Sequence, residues 1–206
     1  MNKDKMDVIC RSIKTSDEIA VIDKIILACE LFNGAQYLSK AELNEKVSFL
    51  KKRIEDKMAH PEAYKKQKNS VYSALVAEVD KKIVGCIIIH KLDKSERLVP
   101  DASYELDGFY VLPEYQGKGI GYTLWNALLN KLRKEKVLTL QLAVVYEGPT
   151  NKKNVRSKGN INAIRFYQRQ GCIFLDKTRQ WKSKTGIPKS KLCIQRYLLK
   201  RISHDT

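Results

Sequence analysis

Val111-Leu112-Pro113-Glu114-Tyr115-Gln116-Gly117-Lys118-Gly119-Ile120-Gly121 is a strand end, a turn and a helix start in succession. Ser103 to Leu112 reads as a strand, and Pro113 stops it because proline has no N–H to give to a ladder. From Gly119 onward Ile120, Leu124, Leu128 and Leu132 recur four apart, the apolar stripe of a helix. Glycines at 117, 119 and 121 leave backbone N–H groups uncovered at that helix N-terminus, where they and the helix dipole favour an anion. The spacing is not the dinucleotide fingerprint, because G-x-G-x-x-G counted from Gly117 ends on Tyr122. It is not a P-loop either, because Leu112 stands where the first glycine is required.

Upstream, Asp7 to Lys14 reads as a first strand. Thr15-Ser16-Asp17-Glu18 has the form of a capping box, followed by Ile19, Ile22, Ile26 and Cys29 at helical spacing. A second box, Ser39-Lys40-Ala41-Glu42, opens a helix with the stripe Leu43, Val47, Leu50 and Ile54, closed by His60-Pro61. Between Val71 and Leu92 two apolar runs flank Asp80-Lys81-Lys82, the pattern of a hairpin, and Gly85 in the second run marks a bulge or a close backbone approach.

Downstream, Val137 to Val145 alternates as a strand with Leu138, Leu140, Leu142 and Val144 on one face. Residues 146–159 read as a Gly/Pro/Asn/Lys loop. A helix from Asn160 to Gln170 ends at Gly171, and the strands Cys172 to Trp181 and Lys191 to Lys200 flank a turn with Gly186 and Pro188. No repeat or linker divides residues 1–206, which predicts a single α/β domain in the order βααβββαβαββ.

Composition narrows the function. With 43% apolar and 30% charged residues the chain buries a core and presents a polar surface. The longest apolar run, Ile83 to Ile89, falls short of the roughly 20 residues of a membrane span. The charged start, Met1 to Asp7, is unlike a signal peptide, so a cytoplasmic location is expected. Five cysteines without a Cys-x-x-Cys spacing and three scattered histidines predict neither a disulfide framework nor a metal site. Residues 131–206 carry 19 basic and 4 acidic side chains, nearly all of the net +16. That asymmetry points to an acidic partner, RNA or another polyanion.

Gln116-x-x-Gly119-x-Gly121 after a Val-x-Pro strand end resembles the acyl-CoA pyrophosphate loop of the GNAT superfamily of N-acetyltransferases. Asn160-x-x-Ala163-x-x-Phe166-Tyr167-x-x-x-Gly171 looks like that family's later helix, and the order of elements is also the family's. The resemblance implies a GNAT-like acyl-CoA N-acyltransferase fold, a twisted, mostly antiparallel mixed sheet with helices on both faces that splays after the Ser103 to Leu112 strand. It implies acetyl-CoA as co-substrate, held by Val111, Gln116, Gly117, Lys118, Gly119, Ile120, Gly121 and Asn160, and direct transfer of acetyl to a primary amine.

Tyr167 is then similar to the general acid that protonates the departing thiolate, as a phenol of pKa near 10 is able to do at pH 7. An ammonium acceptor also needs a base. Glu105, eleven residues before Gln116, stands where similar members place a carboxylate, and Asp107, which strand alternation puts on the same face together with Phe109, is its rival. Cys172 departs from the aromatic usual in the family after the glycine. Lys152, Lys153, Arg156 and Lys158 are placed to meet the CoA 3′-phosphate or an acceptor. Two other readings stay open: a non-catalytic relative that binds CoA or a polyanion, and an acetyltransferase whose amine is carried by RNA or a ribosomal protein. The acceptor and the oligomeric state are not encoded in any motif.

Overall fold

The computed structural model describes residues 7–14, 17–33, 38–59, 72–150, 156–180 and 193–203, with backbone alone at 17, 50, 53, 54, 56–59, 72, 149, 150, 156 and 157. Its elements are β1 (Ile9–Ser12), α1 (Asp17–Asn33), α2 (Lys40–Ala59), β2 (Tyr72–Val79), β3 (Lys82–Lys91), β4 (Ala102–Val111), α3 (Ile120–Lys134), β5 (Thr139–Thr150), β6 (Arg156–Lys158), α4 (Ile161–Arg169), β7 (Ile173–Gln180) and β8 (Ile194–Arg201). One sheet runs β1-β2-β3-β4-β5-β8-β7, with β6 paired to β5. Only β4 and β5 are parallel. A parallel pair needs a crossover, and α3 supplies it.

The sheet has apolar groups on both faces. On one, Ile120, Leu124, Trp125, Leu128 and Leu132 of α3 are sealed against Ile87, Ile89, Leu140 and Leu142, and Tyr167 of α4 joins them. On the other, Ile22, Ile25, Ile26 and Cys29 of α1 cover Val76 and Cys86, and α2 packs outside α1. The second capping box forms as the sequence predicts: Glu42 N–H donates to Ser39 Oγ at 3.2 Å, and Ser39 N–H donates to Glu42 Oε2 at 2.8 Å. Thr15, Ser16, His60, Pro61, Gly186 and Pro188, and the turn around the last two, lie outside the described residues.

The β2–β3 hairpin turns through Asp80 (φ 48°) and Lys81 (φ 64°), the left-handed pair that matches strand twist. Its register shifts at Ala77/Glu78, beside Gly85. A Cβ on Gly85 would stand 2.9 Å from Tyr110 O, so bulge and close approach coincide.

Three expectations need correction. Leu138 precedes β5 and is 54% exposed, because Val137 and Ile202 already close that end of the core. Residues 146–159 are not a loop throughout: β5 continues to Thr150 and pairs back with β6 through Glu147↔Lys158 and Thr150↔Arg156. Pro149 is tolerated there because it lies beyond the last residue of β5 that β8 bonds. Finally, Phe109 does not share the face of Glu105. The β3–β4 register pairs Ile88 with Gly108 and Ile89 with Leu106, so Asp107 is the extra residue of a β-bulge. The bulge resets the alternation and turns Phe109 into the α3 core beside Leu106.

Candidate active site

The bulge sits where the sheet opens. β4 pairs with β5 only from Ala102↔Thr139 to Leu106↔Leu142, while β3 stays bonded to β4 as far as Val111. The edge of β4 from Asp107 to Val111 therefore faces a cavity of about 170 Å³ rather than a strand. Val144 and Val145 of β5, Asn160, Ala163 and Tyr167 around α4, and Gln116 enclose it. Backbone amides freed from a ladder need other partners, so this edge is ready to bond a bound chain.

At one end lies the glycine turn. Gln116 Nε2 donates to Val111 O at 2.9 Å, pinning the turn to the strand end. Gly119 is the N-cap of α3 at φ 84° and Gly117 has φ 73°. A Cβ on either would meet no atom within 4 Å, so open space lies over the N-terminus of a 15-residue helix. That space and the left-handed backbone suit an anion cradle. Ile120 is buried in the core, so its contribution to an anion is its backbone alone. Lys118 Nζ stands 5.2 Å over the Tyr115 ring. Asn160 accepts from Ala163 N–H at 3.1 Å as the cap of α4 and also lines the cavity.

The two carboxylates of β4 have different surroundings. Glu105 is 5% exposed. Its Oε1 accepts from Arg179 Nη1 at 2.9 Å and its Oε2 from Gln141 Nε2 at 2.7 Å. Gln141 is itself fixed by Leu98 N–H and Glu96 O, and Arg179 also reaches Gln195 and Tyr197. Asp107 lines the cavity and Glu105 does not. Asp107 Oδ2 is 2.6 Å from His90 Nδ1. Burial pushes the Asp107 carboxyl above the usual carboxylate range, with His90 opposing and Glu105 reinforcing the rise. Such a group holds a proton more readily than an ordinary aspartate.

Tyr167 is 7% exposed, lines the cavity and packs 5.8 Å from Trp125 and 5.6 Å from Phe166, centroid to centroid. Burial pushes the thiols of Cys29 and Cys172 to about 12, so neither is ionised to attack as a nucleophile near pH 7.

Cys29, Glu30 and Asn33 of α1, Lys46 of α2 and Gln195 of β8 also line the cavity, and no motif marked them as site residues. For Glu30 a signal existed: with Asp23 it falls at stripe positions of α1, between residues that are otherwise apolar, and both are buried. A carboxylate on the core face of a helix is a flag. The last two strands place Arg179 and Gln195, for which the sequence offers no comparable signal.

Of the basic last third, Arg179 is bonded to Glu105, Arg196 lies 5.2 Å over Tyr146 and 5.4 Å over Phe174, Lys200 donates to Gln170 O and Arg201 pairs with Asp101. Lys158 is exposed. Lys152, Lys153, Lys182, Lys184, Lys189 and Lys191, and the Arg156 side chain, lie outside the described residues. Among the described residues, no helix is long and apolar enough to cross a membrane.

Residues 41–172 match the family model described as the acetyltransferase (GNAT) family. No curated protein matches. Among solved structures, the chain is similar to the PaiA N-acetyltransferase of Thermoplasma acidophilum in complex with coenzyme A (17% identity, 95% of this chain and 99% of that one, TM-score 0.59). It is similar also to a ribosomal-protein-alanine N-acetyltransferase of Brucella melitensis (20%, 94% and 99%, TM-score 0.60). A third is yncA of Salmonella typhimurium with its cofactor acetyl-CoA (14%, 97% and 96%, TM-score 0.58). At these identities the likeness is one of fold.

Proposed function

The chain belongs to the acetyltransferase (GNAT) family, and on that footing we propose that it moves an acetyl group from acetyl-CoA to a primary amine by direct attack, with both substrates bound together. The observation that carries this reading is one cavity lined by an aspartate of raised pKa and a tyrosine on a facing element, next to the helix N-terminus at Gly119. Bound acetyl-CoA supplies an activated acyl thioester.

The chain's own residues do the rest. Backbone N–H groups from Gly117 to Gly121 hold the pyrophosphate, and the free edge of β4 from Asp107 to Val111 holds the pantetheine arm. An acceptor ammonium of pKa about 10.4 is not a nucleophile until it loses a proton. Asp107, rather than Glu105, takes that proton, since both oxygens of Glu105 are already bonded to Arg179 and Gln141. As the new N–C bond forms and the C–S bond breaks, Tyr167 gives its phenolic proton to the leaving sulfur. The second proton left on the acylated nitrogen restores the Tyr167 phenol, so one proton in all is released per turnover. Glu105 reinforces the rise of the Asp107 pKa, and the Arg179 guanidinium that holds Glu105 opposes it.

Release of free thiol from acetyl-CoA over a panel of amines tests the reading. Turnover with at least one amine is the expected result. Tight binding of acetyl-CoA with no thiol release from any amine would instead identify a non-catalytic relative.

A further inference from the structure

Glu30 has one oxygen too many for the contacts around it. Its side chain is 4% exposed, and Oε1 accepts from Lys46 Nζ at 3.1 Å and from the Tyr110 hydroxyl at 3.3 Å. Oε2 is buried without a hydrogen-bond partner among the described residues. An unmade bond to a buried charged oxygen is costly. Yet Glu30 lines the same cavity as Asp107 and Tyr167, together with Lys46 and Asn33. A donor entering that cavity would complete the set.

Charge narrows what the donor is. The acidic and basic side chains lining the cavity are Glu30, Asp107 and Lys46, whose formal charges sum to a single negative charge that one acceptor ammonium balances. A second cation at Glu30 would leave the cavity positive beside Lys46, so a neutral N–H fits better. Asn33, one turn along α1, lines the cavity with an amide able to take the complementary bond. Tyr110, which holds Glu30, is on β4, the strand that carries Asp107.

We propose that Glu30 Oε2 accepts a main-chain amide N–H of a peptide acceptor whose amine lies at Asp107 in the same cavity. This inference rests on the transferase reading above and adds the acceptor class to it. Two amines in a peptide meet the requirement. An N-terminal α-amine is followed by main-chain amides, and a lysine ε-amine has its own amide at the end of its stem.

The test uses the full chain, acetyl-CoA and tetrapeptides. One set has a free N-terminus and no lysine, the other a blocked N-terminus and one lysine. Each is made with and without N-methylation at successive amides, and simple alkylamines serve as the control for turnover itself. Expected is a KM for one set lower than that of the alkylamines. Methylation at a single amide should raise that KM about 10- to 100-fold, the size of a bond to a charged group. Glu30→Gln, which keeps an oxygen for Lys46 and Tyr110, should raise KM by a similar factor with little change in kcat. The same variant should be indifferent to methylation. A merely structural Glu30 would lower the melting temperature and leave the methylation effect in place, which would overturn the proposal. So would turnover of alkylamines with no preference for either peptide set. Absence of turnover on every amine would overturn the transferase reading instead.

Discussion

The two ends of the cavity are built in opposite ways. The proposed anion end is one contiguous stretch, Gln116 to Gly121, whose shape follows from glycines at positive φ and a helix start next to them. The proposed acceptor end gathers Glu30 from α1, Lys46 from α2, Asp107 and Tyr110 from β4 and Gln195 from β8, with His90 of β3 bonded to Asp107. A local site depends on backbone conformation, so a single Cβ in the wrong place damages it. A gathered site depends on charge and hydrogen bonding across elements, so isosteric changes of polarity damage it while the backbone stays put.

The largest effect expected from that contrast is on turnover. Asp107→Asn should lower kcat by about 10²- to 10⁴-fold, the usual contribution of a general base, with acetyl-CoA affinity nearly intact and partial recovery at higher pH. Tyr167→Phe should fall in the same range without unfolding, because the ring still packs on Trp125 and Phe166. Glu105→Gln should cost less. If Glu105→Gln is the crippling change and Asp107→Asn is not, the buried carboxylate is the base and the roles of the pair are reversed.

A smaller effect belongs to the anion end. Acetyl-CoA at 100 times its Kd should stabilise the native state by about 2.7 kcal/mol, roughly 5 to 10 °C in melting temperature for a chain of this size. Gly119→Val should abolish that shift, since its Cβ enters the open space over α3 and its φ of 84° disfavours a branched residue. The readout is the difference with and without ligand, because the strain lowers both melting temperatures. An undiminished shift would show that the pyrophosphate does not lie on this turn.

The smallest expected effect is a displacement in pH. As the proposed base Asp107 must be ionised to act, so kcat/KM should rise with pH through its pKa, which burial sets above the usual carboxylate range. His90 lowers that pKa by its charge and hydrogen bond. His90→Phe removes the lowering, so the acid limb of the pH profile should move to higher pH, with the plateau reached later. A limb that moves to lower pH, or stays, would separate His90 from the base. Stability runs the other way: the folded state holds this proton more tightly than the unfolded chain, so Asp107 contributes against folding above its folded pKa, and that contribution fades as pH falls through it.

The amino-acid sequence by itself determined the order of elements apart from β6, the hairpin at Asp80-Lys81, the capping box at Ser39, the helix stripe from Ile120 to Leu132 and the glycine turn before it. Each of these is written in residues a few positions apart, where periodicity, φ preference and missing donors act directly. Tertiary structure alone decided which carboxylate faces the cavity. Alternation predicts that Glu105, Asp107 and Phe109 share a face, and one inserted residue opposite β3 overrides it. That insertion is a property of two strands in register, not of either strand alone. Tertiary structure likewise brought Arg179 to Glu105 and Cys193 N–H to within 2.6 Å of Glu42 Oε1, 151 residues apart in the chain. The capping box shows both levels in one side chain. Ser39 and Glu42 are legible as a local pair, while the second oxygen of Glu42 anchors the start of β8, because a buried carboxylate keeps acceptor capacity that only a distant donor was left to fill.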